Sequence, residues 1–245
     1  MKIQVAIVTG AATGLGAAFA THLASIGFDV GVCDLQDAGE TLTGISAIGK
    51  RGTAVLADAA DAEDVRAFAE HVAQELGPPS VLVNNVGISP YTPFGEISLD
   101  EWRRVLTVNL DSVFLMTQAF LPAMREAGWG RVVNLASSVA WDAQARDMVH
   151  YATTKMGLVG YTRALAAEVG RDGVTVNCLA PGLVRTPLLE QRVPAQRWEQ
   201  TVGRQALPRA LVPEDLLGAL GFLVSPGADA VTGTCLPING GRVWV

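Results

Sequence analysis

The chain has 245 residues, 49% of them hydrophobic and 17% charged, with a formal net charge of −6. With no basic block, neither nucleic acid nor an anionic membrane surface is an expected partner. The length suits one α/β domain with a large core, and the apolar balance fits a chain that buries further surface in an oligomer.

Met1-Lys2-Ile3-Gln4 runs directly into a first candidate strand, Val5–Val8, so no secretory leader is expected. No uninterrupted apolar run approaches the ~20 residues of a membrane span, and a cytoplasmic location is expected. The strand leads into Thr9-Gly10-Ala11-Ala12-Thr13-Gly14-Leu15-Gly16, which opens an amphipathic helix over Leu15–Ile26. Glycines at such a junction let the backbone turn tightly and approach a pyrophosphate. The helix start offers free N–H groups and its positive dipole end. Gly10, Thr13, Gly14, Leu15 and Gly16 are therefore candidate dinucleotide-binding positions.

A second strand, Val30–Cys33, ends at Asp34, eighteen residues after Gly16. An acid at about this distance accepts hydrogen bonds from the adenosine ribose of NAD and repels the extra phosphate of NADP. No Lys or Arg lies within Gly10–Gly16 or at Leu35-Gln36 to reverse that preference. NAD is the expected cofactor, with Asp34 and Leu35 as contacts. A third strand, Ala54–Leu56, leads to Asp58. This residue suits either a hydrogen bond from the adenine amino group or the N-cap of the next helix, Ala62–Leu76.

Val81–Val83 and Val132–Leu135 are continuous apolar runs, as strands covered on both faces require. Helices are expected over Asp111–Ala127 and Tyr151–Val169, and further strands over Val174–Leu179 and Leu236–Ile238. The alternation implies right-handed βαβ units. The expected fold is α/β: one domain over residues 1–245, a doubly wound parallel sheet of about seven strands with helices on both faces. Residues 181–213 contain Pro187, Pro194, Pro208 and Pro213. They also carry Leu188, Leu189, Val193 and Trp198, and are expected to form an irregular lid over something apolar.

Cys33, Cys178 and Cys235 are odd in number, far apart in sequence, and in or beside apolar runs. They read as small buried core residues, not disulfides or metal ligands. His22, His71 and His150 show no metal-ligand spacing.

Tyr151 and Lys155 stand four apart in a predicted helix. Such residues share a face, with Cβ atoms roughly 5–6 Å apart. An ammonium there stabilises the neighbouring phenolate. Bringing a tyrosine from a pKa of about 10 towards neutrality takes ~4 kcal/mol of favourable charge interaction. The pair is a candidate acid/base centre. Ser138 lies thirteen positions before the tyrosine, with Ser137 as its rival.

Together these motifs resemble the short-chain dehydrogenase/reductase family in its compact form, over essentially the whole chain. Thr9–Gly16 is similar to its cofactor turn. Asn84-Asn85-Val86-Gly87 resembles its N-N-A-G strand end, with Val86 for alanine. Pro181-Gly182 with Thr186 resembles the segment that holds the nicotinamide amide, and Asn239-Gly240-Gly241 its D-G-G. The resemblance implies a Rossmann fold, with cofactor contacts at Asn85, Gly87, Tyr151, Lys155, Pro181, Gly182, Val184 and Thr186. It also implies hydride transfer between a nicotinamide and a carbonyl or alcohol carbon, served by a tetrad of Asn109, Ser138, Tyr151 and Lys155. Ser138 would donate to the substrate oxygen and Tyr151 exchange its proton. Lys155 would lower the tyrosine pKa and bond the nicotinamide ribose. Asn109 would hold a water through a local helix distortion, or simply bond the backbone. A homotetramer is implied, to which Leu216–Leu223 and Leu236–Val245 would contribute.

The segments implied to face substrate are Ile88–Phe94, Ala140–Val149 and Leu183–Trp198. Candidate pocket residues are Tyr91, Phe94, Ala140, Trp141, Leu183 and Leu188, with Gln144 as a polar contact and Arg146 and Arg185 as candidate anion holders. Such a lining suits a hydrophobic secondary alcohol or its ketone. Pro93-Phe94, Trp129-Gly130-Arg131, Trp141, His150-Tyr151 and Val184-Arg185-Thr186 resemble bacterial dehydrogenases of 1-phenylethanol type, which act on aryl-alkyl alcohols. A 3-oxoacyl-[acyl-carrier-protein] reductase, or a hydroxyacyl, sterol or cyclic alcohol dehydrogenase, is the alternative. A non-catalytic NAD-binding module is the reading from a different class.

Overall fold

The computed structural model describes residues 4–142 and 145–244. At its centre lie seven parallel strands: β1 (Val5–Thr9), β2 (Asp29–Asp34), β3 (Gly52–Leu56), β4 (Val81–Asn84), β5 (Gly130–Leu135), β6 (Val174–Pro181) and β7 (Cys235–Ile238). Their order across the sheet is β3-β2-β1-β4-β5-β6-β7. The expected α/β class and doubly wound parallel sheet are present. Each predicted strand appears, extended by one or two residues at one or both ends. β1, β4, β5 and β6 are buried along their whole length, which is why apolar residues dominate them, the polar ones such as Asn134 and Asn177 being buried with their partners.

The predicted helices are α1 (Gly14–Ser25), α3 (Ala62–Glu75), α5 (Ser112–Ala127) and α6 (Val149–Val169). The structure adds α2 (Gly39–Ala47), α4 (Leu99–Leu106), α7 (Pro187–Arg192), α8 (Ala195–Gly203) and α9 (Glu214–Leu223). Polarity hid α4, whose one buried residue is Val105. The expected irregular lid holds two short helices, α7 and α8, and is non-helical over the rest of its length. Pro187 sits in the first turn of α7 and Pro194 at the N-cap of α8, positions where a missing N–H costs nothing. Pro187 and Pro194 therefore start helices and do not break them.

One face of the sheet packs against α1, α2 and α9 through Phe19, Leu23, Ile45, Leu216 and Leu220. The other packs against α3, α5 and α6 through Phe68, Val72, Met116, Phe120 and Val169. There Phe68 and Phe120 meet edge to face, centroids 5.7 Å apart. The helical run Leu99–Ala127 is long and apolar enough by composition to cross a membrane. Its buried residues, Met116, Phe120 and Met124 among them, instead line this sheet face.

The cysteines depart in part from the reading above. Cys33 and Cys178 are buried, but Cys235 is only half-buried. Cys178 and Cys235 are direct register partners on β6 and β7, a proximity that their separation in sequence conceals.

β1 lies between β2 and β4. The chain therefore leaves β1 towards one face and β4 towards the other. In such a doubly wound sheet the crevice opens at this switch point, beyond the carboxyl ends of the strands. Thr9, Asn84 and Leu135 end their strands at that edge.

Candidate active site

The glycine turn sits in this crevice. Gly10 and Gly14 have φ of +64° and +59°, backbone that L side chains rarely adopt. At Gly16 a Cβ would stand 2.1 Å from the Gly10 oxygen, so only glycine lets α1 start this close to β1. Thr13 provides no side-chain cap, which leaves the first N–H groups of α1 available to an anion. Asn85 donates through Nδ2 to the oxygens of Thr9 (2.9 Å) and Gly10 (3.0 Å), clamping the turn to the end of β4. Thr9 Oγ1 accepts from the N–H groups of Asn85 and Val86.

Asp34 faces the turn: its carboxylate accepts from Ala12 N at 2.9 Å and Gln36 N at 3.0 Å. Neighbouring Leu35 is exposed. Among the described residues no Lys or Arg forms an ion pair with Asp34. Asp58 is not the cap of α3. That role belongs to Asp61, which accepts from Glu63 N and Asp64 N, while Asp58 accepts from Ala60 N. Across the crevice, Pro181 ends β6 and Gly182 N donates to Ile238 O. Val184 bridges to Leu211, and Thr186 caps α7 beside Gly14. The lid thus closes directly over the glycine turn, an arrangement that fits a dinucleotide held between Gly10–Gly16 and Pro181–Thr186.

Tyr151 and Lys155 lie on the first turns of α6. Lys155 is 3% exposed and its Nζ donates to Leu135 O at 2.6 Å. Burial pushes its ammonium down to about 8. Nζ stands 5.5 Å from the Tyr151 ring centroid. Burial pushes the Tyr151 phenol up to about 12, opposed by a hydrogen bond with Ser137. Burial dominates the Tyr151 phenol, and the Lys155 ammonium, turned to the Leu135 carbonyl, does not offset it in this structure. Gly87 passes close by: a Cβ there would lie 3.3 Å from both Lys155 Nζ and Asn109 Oδ1.

Asn109 is fully buried in a π-helical turn, Thr107–Asp111, between α4 and α5. This is a helix distortion of the kind expected. Its side chain bonds the N and O of Ile88 and Thr154 Oγ1, which fastens the post-β4 loop to α6. His150 secures the same corner. Its Nδ1 accepts from Tyr151 N, so the opposite nitrogen, Nε2, carries the proton that faces Glu101 at 3.0 Å.

Ser137, Ser138 and Tyr151 line one cavity of about 100 Å³. Ser138 Oγ is buried there without a hydrogen-bond partner, a donor positioned for an incoming oxygen. Tyr91 and Leu183 share its wall, as expected. Phe94 is 75% exposed and Leu188 is exposed, and neither reaches the wall, where Leu189 stands instead. Ala140 is not on that wall, and Trp141 packs against the cluster of Ala136, Val159, Cys178 and Ala180. Gln144 lies outside the described residues. Arg185 pairs with Glu190 at 3.5 Å and stacks on Trp198.

Ser89 and Arg197, which fall within the implied segments but were not singled out, and Thr201 and Arg242, which fall outside them, all line the cavity. The spacing of Arg197 and Thr201, four apart on α8, was the available signal. Arg242 is delivered by Asn239, whose Oδ1 accepts from Gly241 N and Arg242 N.

A family model described as enoyl-(acyl carrier protein) reductase matches residues 10–242. The chain is 39% identical over 240 residues to 3-oxoacyl-[acyl-carrier-protein] reductase of Pseudomonas aeruginosa, covering 97% of this chain and 96% of that one. It is 38% identical to D-threitol dehydrogenase of Mycolicibacterium smegmatis, with coverages of 97% and 92%. In structure it is similar to a blue fluorescent protein from a metagenomic library in complex with NADPH. That match has a TM-score of 0.91, 34% identity, and 98% of each chain covered.

Proposed function

The chain belongs to the short-chain dehydrogenase/reductase family, nicotinamide-dependent oxidoreductases of alcohols and ketones, and from that premise we propose an NAD-dependent enzyme interconverting a compact secondary alcohol and its ketone. Residues 1–245 act as one dehydrogenase unit, with 181–213 as the lid. The observation that carries the reading is the cavity lined by both Tyr151 and the unpartnered Ser138 hydroxyl, in a fold whose glycine turn is shaped for a dinucleotide.

A bound nicotinamide would supply the hydride chemistry between the carbinol and carbonyl forms of the substrate carbon. Gly10, Thr13, Gly14, Leu15, Gly16, Asn85 and Gly87 hold the cofactor on one side, and Pro181, Gly182, Val184 and Thr186 on the other. Ser138 donates a hydrogen bond to the substrate oxygen. Tyr151 gives that oxygen its proton in reduction and takes it in oxidation. Lys155 holds the end of β5 and supplies positive charge near the phenolate formed in oxidation. Asn109 keeps Ile88 and Thr154 in place around it. Asp34 supports NAD: its carboxylate, unopposed by a described cation, repels an added phosphate at the ribose.

Tyr91, Met148, Leu183 and Leu189 give the cavity an apolar side that accommodates a compact ring, in keeping with the resemblance to aryl-alkyl alcohol dehydrogenases. A second reading, reduction of 3-oxoacyl thioesters, is favoured by the similarity to the Pseudomonas enzyme. A homotetramer is supported by exposed apolar residues on three helices, Phe114, Met156 and Phe222, and by Trp244 at 81% exposure.

A steady-state panel tests the reading: NADH and NADPH against acetophenones, cyclic ketones and 3-oxoacyl thioesters. NADH-dependent reduction of a small ketone is the expected result. NADH binding without turnover of any member would overturn it in favour of a non-catalytic module.

A further inference from the structure

The wall of the cavity holds a cation that no carboxylate among the described residues neutralises. Arg197, on α8, lays its Cζ 4.1 Å from the Tyr91 ring centroid and its Nη2 4.0 Å from Met148 Sδ. Both neighbours line the same cavity as Tyr151 and Ser138. Stacking on a ring and contact with a thioether fix the guanidinium in place without cancelling its charge. Its neighbours are treated differently. Arg204 pairs with Asp142 at 2.9 Å, and Arg242 pairs with the other oxygen of the same carboxylate. Among the described residues Arg197 has no such partner.

The surroundings reinforce this charge. The cavity shares Arg197, Thr201 and Arg242 with an outer basin of about 830 Å³ that also carries Arg146, Arg204 and Asp147. Arginines outnumber carboxylates at this mouth, although the chain as a whole has a net charge of −6. A basic concavity in an acidic protein concentrates anions where the chemistry occurs. A planar guanidinium fork recognises a carboxylate through two parallel hydrogen bonds.

We propose that Arg197 is a specificity-determining residue that binds a carboxylate of the substrate, so that the preferred substrate is a small hydroxy acid and its oxo acid. The reacting oxygen lies at Ser138 and Tyr151. The carboxylate lies at Arg197, across a cavity of about 100 Å³ that suits a body of a few carbons or one ring between them. This substrate class rests on the oxidoreductase reading above and narrows it. Sequence reading placed the anion holders at Arg146 and Arg185. Arg185 is already paired with Glu190, and Arg146 stands in the outer basin.

The test pairs each oxo acid of four to eight carbons with its methyl ester, assayed with NADH, and measures binding of both by calorimetry. Wild type is expected to favour the acid at least ~30-fold in kcat/KM, an interaction on the scale of a charge-assisted pair. Arg197→Gln is expected to bring the acid-to-ester ratio to within ~3-fold, chiefly through KM, and Arg197→Lys to restore part of it. Arg192→Gln, an exposed lid arginine off the cavity wall, serves as control and should leave the ratio unchanged. Turnover of ester and acid with equal efficiency, or an unchanged ratio in Arg197→Gln, overturns the assignment while leaving the dehydrogenase reading intact. Arg197-dependent binding of the acid without any turnover supports the anion site and overturns the dehydrogenase reading. Absence of both turnover and acid binding overturns both.

Discussion

A 2.6 Å hydrogen bond joins Lys155 Nζ to the main-chain oxygen of Leu135. It ties α6 to the end of β5, and it leaves a buried ammonium facing a carbonyl with no carboxylate among the described residues bonded to it. Desolvation therefore dominates, and the folded-state pKa falls to about 8 from an ordinary 10.5.

Stability should depend on pH accordingly. Between about pH 8 and 10.5 the unfolded chain holds the Lys155 proton and the folded chain does not, so the Lys155 contribution rises with pH in that window. Below it, the burial cost is fully present. Relative to Lys155→Met, wild type should gain on the order of 1–2 kcal/mol from about pH 8 to 10, read from urea midpoints. A constant difference across this range would show that the ammonium is better solvated than its burial implies.

The neutral phenol of Tyr151, held up to about 12 by burial, is the resident form near neutrality. It suits protonation of a ketone oxygen. Alcohol oxidation needs the phenolate, so its kcat/KM should climb about tenfold per pH unit from about pH 6 to 8, while reduction stays nearly flat. Tyr151→Phe should lower turnover at least ~1000-fold in both directions with NADH affinity within about threefold by fluorescence titration. Turnover within tenfold of wild type would remove Tyr151 from the proton path.

Asp34 bonds Ala12 N and Gln36 N, so its removal should act in two ways. Asp34→Ala should lower the NADH-over-NADPH preference at least tenfold, and destabilise the turn by about 1–2 kcal/mol for the lost charge-assisted hydrogen bonds. Comparing kcat/KM for the two cofactors in both proteins decides. An unaltered preference would place cofactor selection elsewhere.

Arg131 is 1% exposed, stacks 4.2 Å from the Trp129 ring and pairs with Asp229, itself 64% exposed. The two halves of this pair are not equivalent. Asp229→Asn leaves a buried cation poorly compensated and should cost about 2–3 kcal/mol. Arg131→Met fills the same space without charge and should cost less than half as much. Denaturation midpoints in the opposite order would refute this.

Much of the scaffold was legible because its determinants are local. An apolar run followed by Gly10–Gly16 reads as a strand, a turn and a helix start from a dozen neighbouring residues. Tyr151 and Lys155 share a helix face by spacing alone. The short helices escaped notice where most positions are polar, as in α4, or where prolines suggested loops, as in α7 and α8.

The chain order of motifs by itself determined the doubly wound sheet, the nicotinamide-type turn and the family. These follow from patterns that repeat within a few residues. Only the tertiary structure decided which side chains share the cavity. It brought Arg197 onto Tyr91, joined Asp142 to Arg242 one hundred residues later, and set Cys178 beside Cys235. It also exposed Phe94 and Leu188, which the family resemblance had implied for the pocket. Contacts between distant segments depend on strand order, register and the path of the lid, and no local periodicity encodes them.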